Sequence, residues 1–559
     1  MRMKKVIALS LASAMMLSVA ACGNQQTSTG DAGQTASTTA KVSYPGTPDQ
    51  DMVTVDLISE PPELNSLMTQ DSASGDVLRL TVVGLYELDK NDNPVPNLAT
   101  DTQVSEDGKT YTMKLKQGVK WSNGEEVTAH DFVFAYQTLC KKETAAPYGF
   151  MIYENLVNGM DIFEGKKDPS ELGVKAIDDY TLEVSFVTPI PYATSLFSFY
   201  TFLPMNQKAY EEIGANNYAK DMDKIVTNGA YKFAEWVHDD HITLVKNPEY
   251  HKADEIKVEK VKYMMMKDAN ARMNAFKAAQ LDSFTLSGDQ KAQFEAEGGQ
   301  TISFVDNSVW YLQYNTKVKA FSNPKIRKAF GLAIDTQLLC DSVLKDGSVV
   351  ASGIVPSGIA GANGVKYREV ADNMMTYDKE LAKKMLEEGL AEEGMKLEDL
   401  KVSFLTGDTT GAQRDAAFYQ EQWKQVLGVH VDVKPMPFKG RIQAMQEGNF
   451  DMVYAGWSAD YDDPMTYLDL FTTNNGNNHG YYSNKEYDKL IKAAKVEPDV
   501  DKRQQMLMDA ETLLLKEDAP IYPLYFRAQS YVLSDKLQGV TRTGFQPWDF
   551  TDGAEIVKK

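Results

Sequence analysis

The segment AGWSADYDDP, Ala455–Pro464, places one tryptophan and three aspartates within ten residues. Carboxylates grouped in this way can pair with a buried ammonium group, act as a pair in acid–base hydrolysis, or form a solvated acidic loop. Asp460 follows Trp457 at the spacing W-x-x-D, whereas Asp462 and Asp463 directly precede a proline, where aspartate commonly shapes a turn. Asp460 is therefore the main candidate for chemistry, and a solvated loop is the alternative for all three.

Motifs of common catalytic sites do not accompany this segment. The sequence contains no G-x-S-x-G elbow, no H-E-x-x-H pair and no phosphate-binding loop. The HDDH run His238–His241 has metal-ligating residue types, but it separates two alternating segments, so a hairpin turn accounts for it. We expect a binding protein with no catalytic residues, no metal and no cofactor. A hydrolase that uses paired carboxylates is the less favoured alternative.

The amino-terminal end has the three parts of a secretory signal peptide, which we predict over residues 1–21. A basic start precedes an apolar stretch from Val6 to Val19, and small residues precede Cys22. This end resembles a bacterial lipobox, in which the cysteine is lipidated, although an ordinary cleavage site beside a chance cysteine is the alternative. Residues 22–46, rich in Thr, Gly, Ser and Gln, are then a lipid anchor and flexible tether. These features predict attachment to the extracellular face of the cell membrane through the lipid only.

The overall composition is that of a soluble protein. Of 559 residues, 43% are hydrophobic and 25% charged, and the formal net charge is -21. A strongly negative surface disfavours nucleic acid as a partner. Besides Cys22, the sequence has only Cys140 and Cys340, for which one disulfide and two free thiols are both open. We expect a monomer.

Strand-like and helix-like segments alternate along the body of the chain. The apolar periodicity predicts two β-α-β units, one hairpin, one capped helix and one strand that leads into the acidic segment. These elements are 401–407, 411–427 and 429–433; 257–266, 268–280 and 281–286; 231–237 with 241–247; 128–139; and 449–458. Such alternation is typical of an α/β fold.

Six collinear segments carry a resemblance to one protein family. They are WSNGEEVTAHDFVFAYQ (121–137), ELGVKAIDDYTLEVSF (171–186), TNGAYKFAEWVHDDHITLVKNPEY (227–250), FSNPKIRKAFGLAID (321–335), FDMVYAGWSADYDDP (450–464) and EDAPIYPLYF (517–526). Together they resemble the extracytoplasmic solute-binding proteins of peptide-importing ABC transporters, the oligopeptide-binding proteins of solute-binding protein family 5. The resemblance covers nearly all of the chain after the leader.

The resemblance implies an α/β fold like that of type II periplasmic binding proteins. In that fold, two lobes close on a hinge, and this family has an additional inserted domain. Carried onto this sequence, lobe I comprises 47–75, 188–305 and 525–559, the inserted domain comprises 76–187, and lobe II comprises 306–524.

The resemblance also implies a function and a site. It predicts a lipid-anchored receptor that captures oligopeptides between its lobes and delivers them to the permease subunits of an ABC transporter. The motif aspartate, Asp460, would meet the peptide ammonium group, Trp457 would form a wall, and the extended backbone before them would pair with the peptide backbone. The predicted ligand-binding residues are Tyr454, Ala455, Gly456, Trp457, Ser458 and Asp460.

Relatives within the wider family bind other solutes, so the ligand class stays open. A nickel chelate, haem, a disaccharide or a signalling peptide are the alternatives, and Asp460 favours a ligand with an amine over a sugar. This chain also departs from some family members at two places. Tyr454 stands where some have an arginine that can pair with a ligand carboxylate, and Ser308 and Ser458 stand where some have a cysteine pair.

Overall fold

The fold is organised around a mixed sheet whose two halves share two long strands. The structure is a computed structural model, and it describes residues 42–190, 192–546 and 548–558. The predicted signal peptide and Cys22 lie outside the described residues, as does most of the predicted tether.

The strands follow the alternating segments of the sequence. They are β1 (Met52–Leu57), β2 (Tyr86–Leu88), β3 (Pro94–Pro96), β4 (Ala99–Val104), β5 (Thr110–Leu115), β6 (Val174–Asp178), β7 (Thr181–Ser185), β8 (Tyr231–Val237), β9 (His241–Lys246), β10 (Lys260–Met265), β11 (Ser283–Leu286), β12 (Ile302–Tyr314), β13 (Val349–Val350), β14 (Val402–Gly407), β15 (Val431–Met436), β16 (Met452–Ser458), β17 (Ile521–Leu533), β18 (Leu537–Gln538) and β19 (Glu555–Ile556).

The helices pack between these strands. They are α1 (Ser72–Thr81), α2 (Ala129–Cys140), α3 (Phe150–Tyr153), α4 (Gly159–Phe163), α5 (Ala193–Leu196), α6 (Gln207–Ile213), α7 (Ala269–Lys277), α8 (Gly288–Ala296), α9 (Lys319–Ser322), α10 (Pro324–Leu332), α11 (Thr336–Leu338), α12 (Tyr367–Val370), α13 (Lys379–Glu392), α14 (Thr410–Leu427), α15 (Phe438–Glu447), α16 (Met465–Leu468), α17 (Lys485–Val496) and α18 (Val500–Thr512). None of the helices in the described residues is both long and apolar enough to span a membrane.

The large sheet has the strand order β15-β14-β16-β12-β17-β11-β1-β10-β9-β8, with β13 added beside β17. The strands β12 and β17 have 13 residues each and pair with each other along most of their length. One end of this pair carries β16, and the other carries β11. The pairing register shifts between Val305 and Val309, where Asn307 has a φ of +49°. The two halves of the sheet are therefore connected through an irregular, bulged point.

A second sheet, β4-β5-β7-β6, is antiparallel and lies apart from the large sheet. The helix α2 packs on β6. The sequence predicted a capped helix over 128–139, and the structure contains a capping box at its start: the Asp131 carboxylate accepts the Thr128 backbone N–H at 2.8 Å. Cys140, at the end of this helix, is buried with a free thiol, and Cys340 is also free and buried.

The predicted β-α-β units are present. The strands β14 and β15 are parallel and are joined by α14, which buries Tyr419 and Trp423 on one helical face. Gly428 ends this helix with a φ of +68°, a conformation that costs glycine little. The second unit, β10-α7-β11, places its two strands on either side of β1, both parallel to it. His238–His241 falls at the predicted hairpin between β8 and β9.

Candidate functional site

The three aspartates of the acidic segment have three different environments. Asp463 accepts two hydrogen bonds from the Arg503 guanidinium, at 2.8 and 2.9 Å, and its carboxylate also accepts the Met465 backbone N–H. Asp462 is exposed and accepts the Ala360 backbone N–H at 2.8 Å. Asp463 therefore shapes its own turn through Met465, as predicted, whereas Asp462 joins the loop to a distant segment; the Arg503 pair was not predicted.

Asp460 has a different environment, because its carboxylate is held by hydroxyl groups only. The Tyr148 hydroxyl donates to Oδ1 at 3.0 Å, and the Thr466 hydroxyl donates to Oδ2 at 3.3 Å. Tyr148 comes from a segment more than three hundred positions earlier in the chain. Its ring also lies 5.8 Å from the Trp457 ring. Asp460 is half-buried where these two parts of the chain meet.

The charge environment of the Asp460 carboxylate differs from that of Asp463. Within the described part of the chain, no lysine, arginine or histidine forms an ion pair with it, whereas Asp463 nearby is paired with Arg503. Burial raises the pKa of the Asp460 carboxyl well above its usual value, the two hydroxyl hydrogen bonds offset part of that rise, and the charge of Asp469 adds to it. Within the described residues, Asp460 is thus a partly enclosed acid whose side chain contacts two hydroxyl groups and no charged side chain of opposite sign.

The strand that leads to Asp460 has an open edge. In an antiparallel pair, alternate residues direct both backbone groups to the same neighbour. Asp451 O accepts the Asn315 N–H, and the Ala459 N–H donates to Asn307 O, so odd-numbered residues of this stretch bond to β12 and even-numbered ones face away. On that other edge, β14 pairs only with Met452 and Val453. From Tyr454 to Ser458, no strand of the described residues covers it.

The remaining predicted site residues fall into two groups. Tyr454 has its side chain in the aromatic core against Trp310 and Tyr419, and its backbone carbonyl accepts a hydrogen bond from Arg441 at 2.8 Å. Ala455 is buried, and its backbone groups face β12. These two positions therefore have clear structural roles. The backbone groups of Gly456 and Ser458 face the open edge.

Gly456 has a close neighbour on one face of the strand. The resemblance places this residue in the extended backbone that would pair with a peptide. In the structure the Trp310 ring already lies over it, and a Cβ at Gly456 would stand 2.8 Å from a carbon of that ring. Any larger side chain would therefore displace Trp310. The Trp457 side chain lies on the opposite face of the strand, because successive residues alternate, and its indole N–H is buried without a partner among the described residues.

Ser308 and Ser458 lie directly opposite each other on β12 and β16. Their hydroxyl oxygens are 2.6 Å apart, so a hydrogen bond occupies the position where the resemblance places a cysteine pair in other proteins. The sequence analysis did not connect Tyr148 to Asp460. It missed Thr466, Trp310 and Arg527, and no local signal in the sequence distinguishes them.

Further contacts near Asp460 join residues 461–495 to residues 154–192. The Tyr192 and Tyr461 rings stack with centroids 4.6 Å apart. Lys495 forms ion pairs with Glu154 and, at 3.4 Å, with Asp469. The structure thus shows Asp460 in a closed arrangement, in which it does not face bulk solvent freely. Among the described residues, no group of three or more His, Cys, Asp or Glu side chains is arranged to hold a metal ion.

Comparison with known proteins decides the family. Residues 93–479 match the family model described as "Bacterial extracellular solute-binding proteins, family 5 Middle". The chain belongs to solute-binding protein family 5. This membership confirms the expectation of a binding protein rather than an enzyme.

Relatives with known sequence and structure agree with this assignment. The oligopeptide-binding protein OppA of Bacillus subtilis is 32% identical over 501 residues, which cover 88% of this chain and 90% of the relative. The structure of Listeria monocytogenes OppA bound to peptide is 34% identical, with a TM-score of 0.86 over 91% of this chain and 99% of that one. This family 5 protein therefore has the predicted fold of type II periplasmic binding proteins, with two lobes, a hinge and an additional domain.

Two structures of one relative indicate which arrangement the lobes adopt. A structure of the murein tripeptide binding protein MppA of Escherichia coli matches with a TM-score of 0.82 at 26% identity, over 91% of this chain and 99% of that one. The unliganded open form of MppA reaches 0.58 at 25% identity, over 93% of this chain and 99% of that one. This chain therefore differs in overall arrangement from that open form, in agreement with the closed contacts around Asp460.

Proposed function

We propose that this chain captures oligopeptides by their amino end and delivers them to the permease of an ABC transporter. The observation that carries the proposal is the Asp460 carboxylate, which is half-buried, held by the Tyr148 and Thr466 hydroxyls and without a cationic partner among the described residues. A peptide ammonium group supplies the missing charge. A charge-assisted hydrogen bond of this kind contributes about 1.5–3 kcal/mol net.

The open edge of β16 supports a peptide over other solutes. An extended peptide can add to such an edge through backbone hydrogen bonds that do not depend on its sequence. The backbone groups of Gly456 and Ser458 are placed for this, two positions apart on the edge that β14 leaves uncovered. Ser458 is followed closely by Asp460, so the peptide's amino end would lie beside the carboxylate. A sugar or a haem has neither a peptide backbone to pair with this edge nor an ammonium group to pair with Asp460.

Closure of the lobes couples binding to delivery. Tyr148 and Trp457 approach each other only when the two parts of the chain meet, and Lys495 adds ion pairs across the same junction. A ligand can shift the balance toward the closed form only if it binds that form better. An ammonium group does so, because it offsets the cost of enclosing the Asp460 charge. The permease would then receive the closed, loaded form.

The ligand class can be tested by calorimetry on the intact body of the protein. We expect heat of binding with a mixture of unmodified peptides of varied sequence, and much weaker binding with the same mixture N-acetylated, because acetylation removes the positive charge. A disaccharide and a nickel chelate serve as the alternative ligands. Tight binding of either, with no response to free peptides, would overturn the proposal.

We further propose that the protein is a lipid-anchored protein of the extracellular membrane face. The support is the sequence alone: a basic start, an apolar stretch and small residues before Cys22, followed by a polar tether. A single acyl chain binds a membrane only marginally, and stable anchoring needs more than one chain. The anchor would keep the receptor close to its permease.

Cys22→Ser tests this anchor. We expect the variant to appear in the soluble fraction of fractionated cells, because the serine cannot carry the thioether-linked lipid, while affinity for peptide is unchanged. Immunoblotting of membrane and soluble fractions measures the first effect, and calorimetry measures the second. Continued membrane association of the variant would contradict the lipid anchor without bearing on peptide binding.

A further inference from the structure

Arg527 of β17 forms an ion pair at the point where the large sheet is bulged. Its Nε donates to the Asp306 carboxylate, and its NH2 group lies 3.3 Å from the Ser308 hydroxyl. The guanidinium carbon is 5.5 Å from the centre of the Trp310 ring. This places a positive charge on the face of the sheet that carries Trp310 and Gly456, which lie opposite each other on β12 and β16.

This ion pair differs from a closed structural pair elsewhere in the protein. Arg368 and Glu511 have side-chain exposures of 7% and 0%, and Arg368 also donates to the Val355 carbonyl. Arg527 instead retains 28% exposure while its partner Asp306 has 4%. The Arg527 guanidinium therefore helps to cover the Asp306 carboxylate from solvent, while part of its own surface stays accessible.

Arg527 also has unused donors. A guanidinium carries five N–H groups, of which Nε and one NH2 hydrogen account for the contacts with Asp306 and Ser308. Among the described residues, no acceptor is hydrogen-bonded to NH1. The Trp310 indole N–H, which belongs to the ring beneath the guanidinium, is likewise buried without an acceptor there. Donors that lack acceptors thus occur together at this point.

The same contacts connect Arg527 to the open edge of β16. Ser308, next to its NH2 group, shares a hydrogen bond with Ser458, and both serines are small. A peptide paired with Gly456 and Ser458 would direct alternate side chains to each face of the extended sheet. Those on the Trp310 face would lie above Ser458 and can extend toward Arg527. Because Asp460 follows Ser458 so closely, they belong to the first residues of the peptide.

We propose that Arg527 receives a carboxylate of the ligand close to the ligand's amino end. The inference rests on the proposed binding of peptides at Asp460 and assigns a second, oppositely charged subsite to them. The carboxylate has two possible sources: an acidic side chain in the first three residues of a longer peptide, or the terminal carboxylate of a very short one. Asp306 does not exclude this role, because Gln529 and the Ser308 backbone N–H also donate to it and leave Arg527 partly available.

The experiment compares matched peptides by calorimetry on the intact protein. The first arm uses C-terminally amidated hexapeptides with glutamate or glutamine at position 1, 2 or 3. The second uses neutral dipeptides and tripeptides with a free or an amidated carboxyl end. We expect at least one glutamate peptide, or the free-acid short peptides, to bind about tenfold to a hundredfold more tightly than its neutral match, as a charge-assisted hydrogen bond implies. The arm that shows the difference identifies the source.

Three variants assign the effect to Arg527. Arg527→Gln should abolish the preference for the peptide with the carboxylate over its neutral match. Arg527→Lys should retain part of this preference, because lysine keeps the positive charge but lacks the planar set of guanidinium N–H donors. Lys257→Gln is the control, since it removes the same unit charge from an exposed ion pair with Glu555. Thermal unfolding checks that each variant folds, and the comparison of peptides in the unmodified protein needs no variant at all.

The outcomes separate this inference from the proposed function. Binding of free-amine peptides with equal affinity for every charged and neutral match would overturn the Arg527 subsite and leave the peptide function intact. A preference that survives in Arg527→Gln would assign it to another group and also overturn the inference. Absence of binding to any peptide would instead overturn the proposed function.

Discussion

Asp460→Asn will weaken the binding of a peptide with a free amino end by about 2–5 kcal/mol, a loss of roughly thirtyfold to several thousandfold in affinity. Asparagine is close to aspartate in size, so the Tyr148 and Thr466 hydroxyls keep a neighbour at this position. What disappears is the negative charge, and the ammonium group is then enclosed without a partner. For that reason, the loss of binding free energy in the variant exceeds the net free energy that the contact contributes in the unmodified protein.

The N-acetylated form of the same peptide provides the internal comparison, because it has no charge to lose and should bind both proteins about equally weakly. Asp462→Asn is the matched control within the loop, since this aspartate is exposed and accepts only the Ala360 backbone N–H. Calorimetry on the two peptides and the three proteins completes the comparison. If Asp460→Asn weakens both peptides to the same degree, the carboxylate does not meet the amine.

Peptide affinity will also fall as the pH is lowered. Burial holds the pKa of the unliganded Asp460 carboxyl well above its usual value, so this group takes up a proton at a higher pH than an exposed aspartate does. An ammonium group favours the ionised form, so binding requires that proton to leave. Below the raised pKa of the unliganded protein, affinity should therefore decrease about tenfold per pH unit. Above it, affinity should be constant until the peptide amine deprotonates.

The same shift has the opposite consequence for the unliganded protein. A carboxyl whose folded-state pKa is raised stabilises the fold most at low pH, and this contribution is lost as the pH rises through the folded-state value. A bound peptide should compensate for this loss of stability, because its ammonium group pairs with the ionised carboxylate. The increase in melting temperature on adding peptide should therefore be larger at neutral than at acidic pH. Burial raises the pKa of Asp469 to about 7, so the titration of this group adds a pH dependence of its own to the stability.

The Asp460→Asn variant separates these two contributions. If the dependence of peptide affinity on pH disappears in this variant, Asp460 causes it. If the dependence remains, Asp469 or the peptide causes it. Calorimetry between acidic and neutral pH, with one free-amine peptide and both proteins, makes the measurement. An unmodified protein whose affinity does not change over that range would contradict an ammonium contact with a buried acid.

Local elements were predictable because their causes are local. The capping box at Thr128 needs only residues three positions apart, and the end of α14 at Gly428 needs only a residue that tolerates a positive φ. The buried face of α14, with Tyr419 and Trp423, follows from helical periodicity. Such signals lie within one or two turns of chain, so an isolated sequence contains them in full.

The site was predictable only in part. The sequence singled out Asp460 and Trp457, and the resemblance supplied a role for each. It did not predict that the Tyr454 side chain packs in the aromatic core, nor that the Trp310 ring lies over Gly456. These outcomes depend on which strand lies beside β16 and on which face each side chain emerges. Pairing between strands that are distant in the sequence determines the neighbour of β16 and the face of each side chain. No local sequence pattern indicates this pairing.

The sequence alone determined the class of several elements, the resemblance to the family and the choice of Asp460 as the candidate acid. Tertiary structure alone decided that this acid meets Tyr148 and, among the described residues, no cation. It also decided that β14 pairs only with the start of β16 and that Arg527 lies beside Ser308. The physical reason is that charge and hydrogen bonding act over a few ångströms in space. The chain brings these groups within that range only after folding, from positions hundreds of residues apart.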